Sequence, residues 1–163
     1  MAINAIEGAV AFAILGSLAA VAIPAFSENM HASRSTEAVD GLAKISTKAI
    51  SNAAEKPIPD AFPPSVPLAP PEIARGDPQV DPPGTWDSPT WKALDFRASP
   101  EGVPHRFSFG FQSTSSATYS AFVAEAHADQ DGDGLTSTFE VRGHDDAQGA
   151  VADPGMFVDH EIE

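Results

Sequence analysis

The sequence contains no cysteine, so it offers no disulfide, thiolate zinc site, iron–sulfur cluster or cysteine nucleophile. Basic residues are scarce. Nine Lys and Arg stand against 23 Asp and Glu, a formal charge of −14 over 163 residues. Nucleic-acid binders neutralise phosphates with Lys and Arg, and adhesion to anionic lipid uses a basic patch; this balance argues against both. No Lys or Arg precedes Arg34, which removes the basic n-region of a secretory signal peptide. Catalytic signatures are missing as well. The histidines (His31, His105, His127, His144, His160) lack H-E-x-x-H spacing, and there is no G-x-S-x-G turn or phosphate-cradling glycine loop. A non-enzymatic role is therefore expected.

What is present is segregated along the chain. Residues 8–26, GAVAFAILGSLAAVAIPAF, carry no charge and are bracketed by Glu7 and Glu28. As a helix this stretch is roughly 28 Å long, close to the ~30 Å hydrocarbon core of a bilayer. A buried core helix would need a second all-apolar element around it, and the chain has none, so a membrane-spanning or membrane-stored helix fits best. Glu7 at the edge of that run is costly unless it is paired, near water or protonated. It marks the headgroup region, or it meets a positive group of a neighbouring chain. Pro24 removes the hydrogen bond to the Ala20 carbonyl, giving either a kink or a stretch that loses helicity against neighbours. Ala5, Ala9, Ala13 and Ser17 form a small-residue stripe that allows close helix approach.

The helical pattern then turns amphipathic. Apolar residues recur at Ala32, Ala38, Val39, Leu42, Ile45, Ala49 and Ile50, which keeps one face apolar. The helix should stop near residues 54–56, because Pro57 and Pro59 cannot continue it. Residues 57–89 hold eleven of the fifteen prolines; extension and turns are expected there, pinned across a surface by Phe62, Val66, Leu68, Ile73, Val80, Trp86 and Trp91. Beyond Trp91 the signals are β. Residues 105–112 (HRFSFGFQ) alternate Phe107, Phe109 and Phe111 with small or polar residues, the period-2 mark of a half-buried strand. Further strands are expected over residues 118–127, 135–142 and 156–162, with a turn at 113–117 and His144, Asp145 and Asp146 in a solvated loop. The fold class is thus α+β, a long N-terminal helix on a small antiparallel sheet. Its parts are an apolar helix (1–27), its amphipathic continuation (28–56), an irregular Pro-rich belt (57–90) and an acidic β head (91–163).

The most specific motif is DQDGDGLTSTFE, residues 129–140, which fits the calcium-loop pattern D-x-[DN]-x-[DN]-G-x5-E. Asp129, Asp131 and Asp133 would bring three carboxylates onto one hard cation, and Gly134 permits the sharp turn. Leu135 would give a backbone carbonyl, Ser137 a direct or water-mediated contact, and Glu140 a closing bidentate carboxylate. The alternative is a solvated, metal-free acidic turn. The flanks read as strands rather than paired helices, so Glu140 either closes the shell or points away. A calcium ion would supply the staple that missing disulfides cannot.

Glu7, Gly16 nine residues later and Pro24 seventeen residues after the glutamate, with LAAVAIPAF (18–26), resemble the N-terminus of the type IV pilin family. The downstream order of amphipathic helix, irregular segment and antiparallel sheet is similar to that family too. SPTWKALDF, YSAFVAEAHADQDGDG and TSTFE resemble head regions of pilin-like proteins of deltaproteobacterial and myxobacterial type. There are departures. No basic leader precedes the helix, so the chain is expected to be the processed form. Six residues precede Glu7 where the family has four, so either processing occurs at Met1 or the first two residues differ in the mature chain. The family's usual C-terminal disulfide is also absent.

The resemblance implies a structural subunit that waits in the inner membrane with residues 8–26 in lipid. A prepilin peptidase processes it, and an inner-membrane machine then extracts it into an extracellular helical homopolymer. Glu7 would pair with the N-terminal amine of an adjacent subunit, Gly16 and Pro24 would belong to the assembly helix, and the acidic heads would form the outside. The alternatives are a pseudopilin or minor pilin of a type II secretion or related system, or a membrane-tethered calcium-binding module. Only Phe12 and Phe26 are aromatic within residues 1–27, which argues against a continuous aromatic path through such a helix core.

Overall fold

In the computed structural model residues 5–161 are described, residues 5, 7 and 27–34 through their backbone alone. The chain divides into two compact units, Met1–Arg34 and Ser35–Glu163. Helix α1, Ala5–Ala53, contains Pro24 and ends just short of Pro57. That is the expected stop, set by a residue with no amide to donate. In the first unit the helix is clothed in apolar side chains with nothing over them: Phe12 and Leu18 are 79% and 62% exposed.

The second unit is α+β, with an antiparallel sheet of six strands. These are β1 (Val66–Ala69), β2 (Ser108–Ser115), β3 (Ser120–Ala128), β4 (Ser137–Asp146), β5 (Gly149–Ala152) and β6 (Phe157–Asp159). The spatial order is β1-β2-β3-β4-β5, and β6 also pairs with β4. Alternation along residues 107–111, at the start of β2, and along β3 sends Phe107, Phe109, Phe111, Phe122, Ala124 and Ala126 into one hydrophobic cluster. Register sets large against small: Phe109 lies opposite Ala126, Phe111 opposite Ala124 and Phe122 opposite Gly143. That pairing lets the large rings interdigitate with small neighbours. Phe111 and Phe122 stack with ring centres 5.4 Å apart.

Ala38, Leu42, Ile45, Ala49 and Ala53 of α1 are buried in the same cluster. Their spacing of three and four is that of one helical face. Gly41 explains the close approach: a Cβ there would lie 2.5 Å from Cε1 of Phe109. Glu37 adds a polar tie, its Oε1 accepting from the backbone amides of Arg106 (2.9 Å) and Phe107 (3.0 Å).

The Pro-rich segment is more regular than expected. It contains a 3-10 turn, Ile58–Asp60, and β1, which pairs with β2. Its polar backbone atoms are met by the sheet, for Ser113 Oγ donates to the Pro63 carbonyl at 2.7 Å. Gln79 and His105 exchange two backbone bonds, both 2.9 Å. Phe62 and Trp86 are buried as expected of pinning residues, and Trp91 is 1% exposed, whereas Val80 lies open. A chain of ring contacts runs Trp91–Trp86–Phe96–Phe109, with centres 5.0 to 5.5 Å apart. Helix α2, Pro89–Ala93, was not anticipated; Ser88 caps it by accepting from the Trp91 amide at 3.2 Å, with proline in the first turn.

Two β expectations are corrected. Residues 144–146 belong to β4 rather than to a solvated loop, since Asp145 pairs with Ser120 and Ala150 and is buried. The turn over 147–148 then leads into β5, a strand not foreseen because GAVA is too short to show a period. The turn expected at 113–117 falls later, as β2 runs on to Ser115 and Ser116 Oγ accepts from the Tyr119 amide at 3.1 Å. Residue 162 of the expected last strand lies outside the described residues.

Candidate functional site

The acidic loop joins β3 to β4. Asp129 directly follows β3 and is buried. Its backbone is held against the Pro-rich segment by a parallel bridge to Arg75 and by the Gly76 amide, which donates to the Asp129 carbonyl at 2.7 Å. Arg106 Nη1 donates to the Gly76 carbonyl and fixes the other side of that contact. Gly132 and Gly134 have φ of +85° and +99°, a left-handed region that glycine enters without steric cost. Those two turns fold the loop back on itself. One carboxylate oxygen from each of Asp129, Asp131 and Asp133 then lies within 4.8 Å of the others.

Three of the six residues expected to hold a cation are therefore brought together. The other three add no carboxylate to that cluster. Leu135 is exposed, and its amide donates to Asp133 Oδ1 at 2.7 Å. Ser137 opens β4, buried, with its hydroxyl donating to the Ala128 carbonyl at 3.0 Å. Glu140 lies within β4 opposite Glu125, and its carboxylate accepts from Arg142 Nε. Strand geometry accounts for this: in an EF-hand the closing glutamate rides a helix back over the loop, whereas β4 carries Glu140 away along its length. Three clustered carboxylates still form a hard-oxygen donor set of the kind that suits a divalent cation such as calcium, whose charge would relieve their mutual repulsion. Further oxygens would have to come from backbone carbonyls and water.

The loop borders a cleft of about 630 Å³ lined in part by Glu72, Arg75, Asp77 and Thr136. His127 takes no part in the loop; its Nδ1 lies 3.0 Å from Thr138 Oγ1 and its Nε2 3.6 Å from Glu125 Oε2. His105 is buried, with Nε2 2.8 Å from Asp81 Oδ1. No spacing in the sequence flags that pair, because twenty-four positions separate the two residues.

The second candidate region is the apolar segment of α1. Gly8–Phe26 spans nineteen residues of mean hydropathy 2.2, none of it buried. By length and composition this N-terminal helix is compatible with membrane anchoring. Gly16 has nothing within 4 Å of a Cβ position. Ser17 satisfies its hydroxyl within the helix by donating to the Ala13 carbonyl at 2.8 Å, as a polar group in an apolar span must. Glu7 lies in the first turns of α1. Its expected partner is the N-terminal amine of an adjacent subunit, and residues 1–4 lie outside the described residues.

Compared with protein-family models, with curated proteins and with solved structures, the chain matches none.

Proposed function

We propose that this chain is the structural subunit of a type IV pilus-like filament and polymerises through its N-terminal apolar helix. The carrying observation is the wholly uncovered apolar stretch Gly8–Phe26 on a chain whose remaining core is already complete. A folded acidic unit with its own buried aromatic cluster has no internal use for a bare apolar stretch of nineteen residues. Lipid before assembly and other copies of the same helix after it would cover them. The spacing of Glu7, Gly16 and Pro24, in the resemblance noted above, supports the same reading.

On this proposal the two halves of α1 have different tasks. Its first half belongs to the membrane and then to the filament core, and its second half packs on the sheet. Glu7 pairs with an N-terminal amine of the adjacent subunit, which offsets the cost of burying either charge alone. Inner-membrane assembly machinery and a prepilin peptidase are the transient partners, and the mature polymer is extracellular. The role is structural rather than catalytic. Calcium on Asp129, Asp131 and Asp133 is the proposed staple of the head.

The test is cryo-electron microscopy of material sheared from cells that make this protein. Thin filaments whose core is a bundle of residues 8–26 are expected. A chain that stays in the membrane fraction and enters no filament would move the assignment to a pseudopilin, a minor pilin or a membrane-tethered calcium-binding module.

A further inference from the structure

The chain contains three Asp–Gly bonds: Asp40–Gly41, Asp131–Gly132 and Asp133–Gly134. Such pairs isomerise most readily in an ageing polypeptide, because glycine puts no side chain in the way of its own nitrogen. That nitrogen, on losing its proton, attacks the aspartyl side-chain carbonyl carbon. A C–N bond forms, a C–O bond breaks, and the oxygen leaves as water, giving a five-membered succinimide. Water then opens the ring at either carbonyl. One opening restores aspartate; the other routes the main chain through the side-chain carboxyl as isoaspartate.

Asp131 and Asp133 are exposed, and each is followed by a glycine that adds no bulk, so both pairs invite this chemistry. Yet neither glycine nitrogen is available. The Gly132 amide donates to Asp129 Oδ1 at 2.7 Å and the Gly134 amide to Asp129 Oδ2 at 3.1 Å. Asp129 itself is only 3% exposed. Removing a proton from either amide would leave two negative charges in contact at the edge of the protein interior, where they are costly. The reacting carboxyls are also turned elsewhere: Asp131 Oδ1 accepts from the Asp133 amide (3.1 Å) and Asp133 Oδ1 from the Leu135 amide (2.7 Å).

We infer that Asp131 and Asp133 are isomerisation sites held silent by the carboxylate of Asp129. The inference takes no ligand and does not depend on the proposed function. Asp40–Gly41 is an internal reference, since it lies within α1, where the glycine amide is engaged by the helix and not by Asp129.

The full chain in detergent micelles, with and without chelator, is aged beside a free peptide of residues 127–138, and isoaspartate is located by peptide mapping. In the intact chain both loop sites should form it about tenfold more slowly than in the peptide, as loss of a charge-assisted hydrogen bond implies. Asp129→Asn should recover most of the peptide rate at Asp131 and Asp133 and leave Asp40 unchanged. Equal rates in chain and peptide would overturn the inference, as would a silent loop in Asp129→Asn or protection that disappears with chelator alone. Acceleration at Asp40 as well would assign the effect to general unfolding and overturn it too. Should Asp129→Asn fail to fold, amide exchange of the unsubstituted chain decides: Gly132 and Gly134 protected is expected, and free exchange at both refutes it.

Discussion

Two regions of this molecule are rich in apolar side chains and use them in opposite ways. In the head, Phe107, Phe109, Phe111, Phe122 and Phe139 are essentially inaccessible, each matched by a small residue or another ring. Along Gly8–Phe26 the side chains of Phe12, Leu15, Leu18 and Val21 are mostly open. Composition does not separate the two; arrangement does. The head alternates large and small with period 2 and closes on itself, while the apolar segment is apolar all round and stays uncovered.

The sharpest way to break this contrast is at Glu7, the charge at the margin of the uncovered segment. On the proposed pairing, Glu7→Ala should abolish incorporation into filaments while the protein still inserts into membranes, as read by fractionation and shear. Normal filaments from that variant would remove the pairing. A second comparison sets Phe109 against Phe12. Phe109→Ala should cost the head about 3–5 kcal/mol in denaturant unfolding, because it empties a core site. Phe12→Ala, at a side chain 79% exposed and outside the core cluster, should leave that unfolding transition where it was. Equal losses would mean that the two regions are not independent in stability. The smallest effect is reserved for the acidic loop. Saturating chelator should lower the melting temperature of residues 28–163 by several degrees if calcium binds only the folded loop. An unchanged melt would leave the loop held by its own hydrogen bonds.

Much of the fold was legible because its signals are periodic. Phe107, Phe109 and Phe111 announced β2, and Ala38, Leu42, Ile45 and Ala49 announced one face of α1. The helix stop came from Pro57. What escaped was short or depended on distant partners. β1 lies in a segment where Pro67 and the prolines around it read as irregular, and only pairing with β2 makes it a strand. Ser88–Pro89 is a helix-start signal in its own right, but five residues of helix leave no period to support it. At the candidate site the triad Asp129, Asp131 and Asp133 followed directly from local spacing and turn glycines. The place of Glu140 did not, since it is set by β4 continuing straight past the loop. Nor did the backing of Asp129 by Ala74–Gly76, a contact made across more than fifty positions.

The two margins of the sheet bear on how such heads tolerate crowding. β1 carries Pro67, which has no amide to offer a passing strand. The opposite side of β4 is shared by β5 and β6, two short pieces with Pro154 between them. Neither margin presents a long uninterrupted row of donors and acceptors, the template on which foreign strands zip up. Heads massed side by side, as a polymer would require, can therefore touch through their charged faces without fusing into a common sheet. On the proposed function, order along the array would then be left to the helix, and the heads would stay separable.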